Sequence, residues 1–354
     1  MSPTISDSAI FPDLTTLLIP PERSRVVLLT GASTGIGFAT TQYLIERDVY
    51  VFATVRRPED AQRLFCLGDG VCPVELDVCD ATRSQELVDQ IGIALNRNDR
   101  SKLDALINNA GIALGGPLIE LDDETMRRQL EVNLIAPMRL IRLFAEHLGA
   151  RRGSTRGGRV IQVSSISGQQ AMAFVGPYTA SKFALEGLTD TLRFELMPFG
   201  IDVISVRPGP INTEIWNKAP TPEESPFDGG LYRDSLRRFY DFVVRGGRKG
   251  LPPVEIAKVI YRALMARRPK AHYTKTSEYF TRLLISRLLS TRQFNKVIGK
   301  LFNLTPELFD HQSDASPTST VIEGSGAISG ELLDDGTLGD DIEDRAWPKR
   351  DRSS

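Results

Sequence analysis

Val26-Val27-Leu28-Leu29-Thr30-Gly31-Ala32-Ser33-Thr34-Gly35-Ile36-Gly37 is the stretch that decides the fold. Four consecutive apolar residues running into a glycine-bearing turn are the pattern of a strand buried on both faces. Ile36, Ala39, Tyr43, Leu44 and Val49 then follow at near-helical spacing. Glycines between a strand and a helix let the backbone turn sharply and approach a ligand closely. The helix that follows offers free N–H groups and positive potential at its N-terminus. The turn therefore suits the pyrophosphate of a dinucleotide, with Thr30, Gly31, Ser33, Gly35, Ile36 and Gly37 as the candidate contacts.

Outward from this turn the alternation repeats. Strands are expected at Tyr50–Val55, Val74–Leu76, Leu103–Ile107, Val160–Val163, Val203–Val206 and His272–Tyr273. Helical patterns lie between them at about 82–95, 122–148, 178–196 and 253–266. Strands separated by helices mean parallel pairing with right-handed crossovers, hence an α/β fold: a doubly wound, Rossmann-like parallel sheet with helices on both faces. It occupies residues 25–273, after an irregular lead-in over 1–24. Residues 274–310 read as a C-terminal helical extension. Residues 311–354, rich in Ser, Gly, Asp and Glu, cannot bury enough apolar surface to offset their ordering entropy and read as a disordered acidic tail.

Composition narrows the function classes. With 354 residues, 41% of them apolar, the chain can bury a sizeable core, and a net charge of −2 gives no global field for nucleic acid. The basic run Arg151 to Arg156 is more simply a solvated loop. Cys66, Cys72 and Cys79 lack the paired spacing of a zinc site, so no metal centre is expected and reduced thiols in a cytoplasmic protein are the plain reading. No apolar run is long enough to span a bilayer, and no basic segment precedes the short run ended by Pro20-Pro21, which argues against a secretory signal.

His147, His272 and His311 are the only histidines, and none stands beside a plausible nucleophile, which leaves serine-hydrolase chemistry unsupported. Tyr178 and Lys182 offer a different set. At i and i+4 they share one helix face, so an ammonium can sit near the phenol. At about 5 Å and an effective dielectric of about 20 it favours the phenolate by roughly 3 kcal/mol, or roughly 2 pKa units. Asn133 lies inside the long helical pattern, and Pro137, four residues on, has no N–H for the Asn133 carbonyl. A freed carbonyl at a kink can hold an ordered water; the alternative is a kink without chemistry.

The spacing of the glycine turn resembles the T-G-x-x-x-G-x-G signature of the short-chain dehydrogenase/reductase family. Further matches follow in the family's order: Asp77 after the third strand, Asn108-Asn109-Ala110-Gly111 after the fourth, Tyr178 to Lys182, and Pro208-Gly209 after the sixth. The resemblance covers about residues 24–273. It implies that Asp77 meets the adenine amino group, that Asn109, Ala110 and Gly111 pack along the cofactor, and that Pro208, Gly209 and Thr213 flank the nicotinamide. The duller alternatives are a turn cap at Asp77, side-chain turns at Asn108 and Asn109, and a strand end at Pro208. By the same resemblance Ser165 is the catalytic serine, preferred over Ser164 on spacing, although serines after a strand also satisfy loop backbone. Asn133 would support a water relay to Lys182, which with Tyr178 also contacts the cofactor. The implied reaction is hydride transfer between nicotinamide and a carbon bearing oxygen, with Tyr178 moving the proton.

Cofactor choice turns on the end of the second strand, where an acid suits a free ribose and arginine a 2′-phosphate. Here the sequence is Val55-Arg56-Arg57, so Arg56 favours NADP over NAD; a solvated basic turn is the alternative. The segment from Pro208 to Gly250 carries Trp216, Phe227, Leu231, Tyr232, Phe239, Tyr240 and Phe242, which suggests a lid over an apolar pocket. Together with a local similarity to the steroid- and retinol-active branch of the family, it points to a lipophilic alcohol or ketone. Phe294, Val297, Ile298, Leu301 and Phe302 form an apolar stripe within residues 292–302. The stripe either packs beside the pocket or touches an anionic membrane surface peripherally. The family analogy also suggests a homo-oligomer. The rival class is a non-catalytic NADP-binding sensor or scaffold, which would not need Ser165, Tyr178 and Lys182.

Overall fold

The computed structural model describes residues 11–213, 225–277 and 289–310; the expected acidic tail and Trp216 lie outside them. Seven strands, β1 (Arg25–Leu29), β2 (Val49–Val55), β3 (Val71–Glu75), β4 (Ala105–Asn108), β5 (Arg159–Val163), β6 (Asp202–Pro208) and β7 (His272–Lys275), form one sheet in the order β3-β2-β1-β4-β5-β6-β7. Every pairing is parallel. The chain reverses its direction of winding at β1, so β1 and β4 part company with their crossovers on opposite faces. A crevice opens at their carboxyl ends, as in other sheets of this order.

The β1 apolar run is continuous because both faces of the sheet are covered. Val26 and Leu28 enter one core with residues of α3 (Ala81–Arg97), α5 (Ala136–Phe144) and the end of α6 (Gly176–Glu195). Val27 and Leu29 enter the other, with α1 (Gly35–Ile45), α2 (Pro58–Phe65) and α8 (Pro253–Met265). Strand residues alternate between faces, so a chain with two apolar layers has no polar position to place between them.

The helix expected over 122–148 is broken. It comprises α4 (Asp123–Leu130), a π turn over Glu131–Ile135, and α5. Pro137 supplies no N–H, and the Ala136 N–H reaches back to the Glu131 carbonyl instead. The widened turn carries Asn133. The lead-in also departs from expectation, because Leu14 and Ile19 are buried in the first core. Asn98, at the end of α3, accepts from the Ile19 N–H at 2.7 Å and donates to the Leu17 carbonyl at 3.0 Å. A segment with no periodicity of its own is held here by tertiary contacts.

A third, smaller core joins α7 (Arg233–Arg248) to α9 (Thr291–Leu301) and to Phe174. Phe302 is fully buried, with its ring 5.4 Å from Phe239 and 5.5 Å from Phe242. Phe294 and Ile298 join it, while Leu301 is exposed. The larger residues of the 292–302 stripe are thus turned onto α7. A short α10 (Pro306–Asp310) follows. Among the described residues no helix is long and apolar enough to cross a membrane.

Phe302→Ala is expected to weaken the attachment of α9 by about 3 kcal/mol. Hydrogen exchange should then quicken through α9 and α7 by roughly two orders of magnitude while β1, β4 and β5 keep their protection. Equal acceleration in the sheet would show that α9 is integral to the main core.

Candidate active site

The glycine turn is held by a knot of short contacts. The Thr30 hydroxyl accepts from the Asn109 and Ala110 N–H groups, each at 3.0 Å. The Asn109 amide donates to the carbonyls of Thr30 (2.9 Å) and Gly31 (3.0 Å). Gly31 has φ +70°, and a Cβ there would meet the Ala110 Cα at 2.8 Å. A Cβ on Gly37 would collide with the Gly31 carbonyl. The two backbones approach so closely that only hydrogen fits between them, leaving the N-terminus of α1 bare toward the cleft.

Gly31, Ser33, Gly35, Ile36, Gly37, Arg56, Asp77, Asn109, Ala110, Gly111, Pro208, Gly209 and Thr213 all line one cavity. Thr30 does not: it is buried beneath the cleft, where it organises the β4 loop. Asp77 is exposed to the cleft and also accepts from the Cys79 N–H at 3.0 Å, so the turn-cap reading describes part of what it does. Thr213 sits over Gly35, where a Cβ would meet its Cγ2 at 3.1 Å. Arg56 is exposed at the end of β2 and makes no ion pair among the described residues, whereas Arg57 is tied to Asp60 at 3.1 Å. Arg63, which sequence reasoning passed over, places its guanidinium on the Ser33 carbonyl. This donor set fits a dinucleotide carrying a 2′-phosphate: bare helix amides for pyrophosphate and an uncommitted arginine at the ribose end.

Ser165, Tyr178 and Lys182 line the same cavity. Ser165 follows β5 and is buried; its hydroxyl accepts from the Ser167 N–H at 3.1 Å and is hydrogen-bonded to the Tyr178 phenol. Ser164 instead places its hydroxyl beside Gly168 and Glu186. Lys182 is buried, donates to the Val163 carbonyl at 2.9 Å, and has its nitrogen 5.8 Å from the centre of the Tyr178 ring. Burial brings the lysine down to about 8, against an opposing pull from Glu186.

The expected lowering of Tyr178 is corrected here. Burial pushes the phenol above its ordinary value, with the Ser165 hydrogen bond working against the rise. The ammonium stands 5.8 Å from the ring centre, but a phenolate hemmed in by protein loses more in hydration than this neighbour returns. The phenol therefore holds its proton more tightly than a free tyrosine does.

Asn133 is buried in the π turn. Its side chain accepts from the Ile112 N–H (2.9 Å) and donates to the Ile112 carbonyl (2.9 Å) and the Ser181 hydroxyl (3.1 Å). Ser181 in turn donates to the Tyr178 carbonyl at 2.7 Å. One side chain therefore joins the β4 loop to α6. Gln129, also unforeseen, makes a parallel clasp with Leu114 and Ile112; as a lone polar residue in a helical pattern it carried no signal.

Beyond Tyr178 the cavity continues along Met172, Phe174, Leu236, Phe239, Tyr240 and Phe242. Phe227 lines it as well, but Leu231 is exposed and plays no part in the wall. Phe174 has φ +61°, a conformation that strains a bulky residue by about 1–3 kcal/mol. It is held there by the Gly116 N–H on its carbonyl (2.7 Å) and by edge contacts with Tyr232 (5.7 Å) and Phe239 (5.5 Å).

Comparison with known proteins accords with this geometry. The short chain dehydrogenase family model matches residues 25–224. The chain is 33% identical to the NADPH-dependent 3-dehydrocapnine reductase of Ornithobacterium rhinotracheale, over 80% of this chain and 99% of that protein. It is 32% identical to human 17-beta-hydroxysteroid dehydrogenase type 1, over 74% and 80% of the two chains. A short chain dehydrogenase from Burkholderia cenocepacia, solved in complex with NADP, superposes with a TM-score of 0.59 at 25% identity, covering 80% of this chain and 98% of that one. This chain belongs to the short-chain dehydrogenase/reductase family and is an oxidoreductase whose cofactor is NADP.

Proposed function

We propose that the protein reduces a ketone or aldehyde on a lipophilic substrate with NADPH, and that Ser165, Tyr178 and Lys182 carry the chemistry. The observation that carries this reading is the continuity of the cavity. About 1540 Å³ runs from the glycine cradle past Tyr178 to the wall of Met172, Phe174, Leu236, Phe239, Tyr240 and Phe242. A dinucleotide fills only part of that space, and the remainder is faced by apolar and aromatic side chains suited to a large, weakly polar molecule. Of the relatives, one is named for reduction of 3-dehydrocapnine with NADPH and another for a 17-beta-hydroxysteroid; the first supports the direction and the second the substrate class.

Bound NADPH would supply the hydride, with Arg56 at its 2′-phosphate and Asp77 at its adenine. The protein's part is the proton. Ser165 holds the carbonyl oxygen at hydrogen-bond distance from Tyr178, and the phenol, kept protonated by burial, donates to that oxygen. Lys182 steadies the charge that develops on Tyr178 and holds the nicotinamide ribose. The Asn133 carbonyl, in the π turn opened by Pro137, would hold the water through which the proton is replaced.

NADPH oxidation should be seen with hydrophobic ketones such as estrone, all-trans-retinal (an aldehyde) or a long-chain 3-ketoalkane. Tyr178→Phe should lower turnover about a thousandfold with the NADPH dissociation constant changed less than about threefold. NADPH binding without turnover on any of these would overturn the lipophilic reading, and wild-type turnover in Tyr178→Phe the proton-donor role.

Lys182 must be charged to steady Tyr178, and its burial places its loss of charge at about pH 8. The lysine is protonated below that point and neutral above it, so the reductive rate should be flat toward neutrality and fall as pH rises through about 8. A profile flat to pH 10 would sink the assignment.

Arg56→Ser should raise KM for NADPH about 10- to 100-fold, from the roughly 1.5–3 kcal/mol of a charge-assisted hydrogen bond. KM for NADH should hardly move; a parallel rise for both would place Arg56 away from the 2′-phosphate.

A further inference from the structure

Glu186 lies on α6 one turn beyond Lys182 and is buried. Its carboxylate accepts from Arg207 through Nε (3.0 Å) and Nη2 (2.6 Å), and from the Ser205 hydroxyl at 2.6 Å. Both partners stand on β6, the strand that runs on into Pro208-Gly209. From β7, His272 brings its Nδ1 to 3.9 Å. Asp190 follows on the next turn of α6, 3.7 Å from the other side of the His272 ring, and Arg193 bonds Asp190 at 2.6 Å. His272 is kept neutral, since burial, then Arg207 and Arg193, lower it. Burial alone would raise the Glu186 carboxyl, yet the Arg207 and Ser205 hydrogen bonds hold it below the usual range. The group is therefore a fixed negative charge.

A buried ion pair is a poor way to glue a helix to a strand, because apolar residues of similar volume do as well or better. What apolar residues cannot provide is charge beside Lys182. That ammonium is buried against a single described acceptor, the Val163 carbonyl, and the two titratable side chains facing it are Tyr178 and Glu186. We infer that Glu186 is a positioning residue of the catalytic apparatus: clamped by Arg207 and Ser205, its carboxylate stands one helix turn from Lys182 as the counter-charge to that side chain and registers α6 against β6. This rests on the role proposed above for Lys182.

The test reads Lys182 directly. Protein labelled with [13Cε]lysine is titrated without substrate, the Lys182 signal being assigned by its loss in Lys182→Met. In Glu186→Gln the Lys182 midpoint should fall by roughly two pH units, as expected for a unit charge lost about 6 Å away at an effective dielectric near 20. Glu186→Asp should restore most of it. The alkaline limb of the reductive profile should move down with the midpoint. A midpoint unchanged in Glu186→Gln, with only thermal stability lowered, would make the pair a structural clamp and overturn the inference. Should the orphaned Arg207 prevent folding, Glu186→Gln/Arg207→Gln removes both charges, and a smaller drop in the same direction is expected of it, since Arg207 stands farther from Lys182 behind the carboxylate and its loss offsets part of the effect. The titration stands apart from turnover: full activity in Lys182→Met would refute the role of Lys182 while leaving the electrostatic coupling measured.

Discussion

The Thr30 hydroxyl, buried beneath the glycine turn, is the contact on which the rest of the site depends. It accepts from two consecutive amides of the β4 loop, and Asn109 answers with two donations to the turn above β1. These four bonds lock the two strands at the point where the sheet reverses its winding. A missing Cβ at Gly31 and Gly37 is the steric condition for the approach. Were the loop to stand off by the width of a methyl group, Asn109 could not span to Gly31 and the N-terminus of α1 would not face the crevice. The cofactor site is thus a consequence of strand order plus close approach, and its glycines are required by backbone packing as much as by the ligand.

From that point the site is assembled by a second set of clasps reaching from the β4 loop to α6. Asn133 bonds Ile112 on one side and Ser181 on the other, and Ser181 bonds the Tyr178 carbonyl. The π turn that interrupts the α4–α5 helix is what lets Asn133 face inward at the required place, and Pro137 is the covalent reason for it. The irregularity in this helix therefore has a function in positioning. A regular helix over the same residues would rotate Asn133 away from Ile112.

Much of this was legible in the sequence because it depends on local rules. A continuous apolar run, a glycine turn and an i, i+4 Tyr–Lys pair are each short-range patterns, and they placed β1, the cradle and the Tyr178–Lys182 face correctly. What was not legible depends on partners far apart in the chain. Leu14 and Ile19 have no periodicity, and their burial follows from Asn98 at the end of α3. Gln129 and Arg207 look like ordinary helix and strand residues until their partners across the fold are known. Glu186 did carry a signal, since i+4 from Lys182 places it on the same helix face, but its burial follows only from the course of β6. The sense of the Tyr178 shift was misjudged for the same reason: a distance can be read from helix geometry, whereas hydration loss depends on everything packed around the ring.

That last point ties the chemistry to the packing. Lowering the surrounding dielectric strengthens the Lys182–Tyr178 attraction, yet it penalises each charged form by more, so a buried pair tends to end up protonated on the phenol and easily neutralised on the lysine. A protein using such a pair near neutrality must supply charge from the side opposite the phenol, where it favours the ammonium more than it disfavours the phenolate. Glu186 is so placed, and Arg207 prevents the carboxylate from escaping its own burial by taking up a proton. The chain of dependence then runs from β6 through Arg207 and Glu186 to Lys182 and on to the Tyr178 ring. The arrangement works only because β6, between β5 and β7, cannot shift without breaking parallel ladders on both sides.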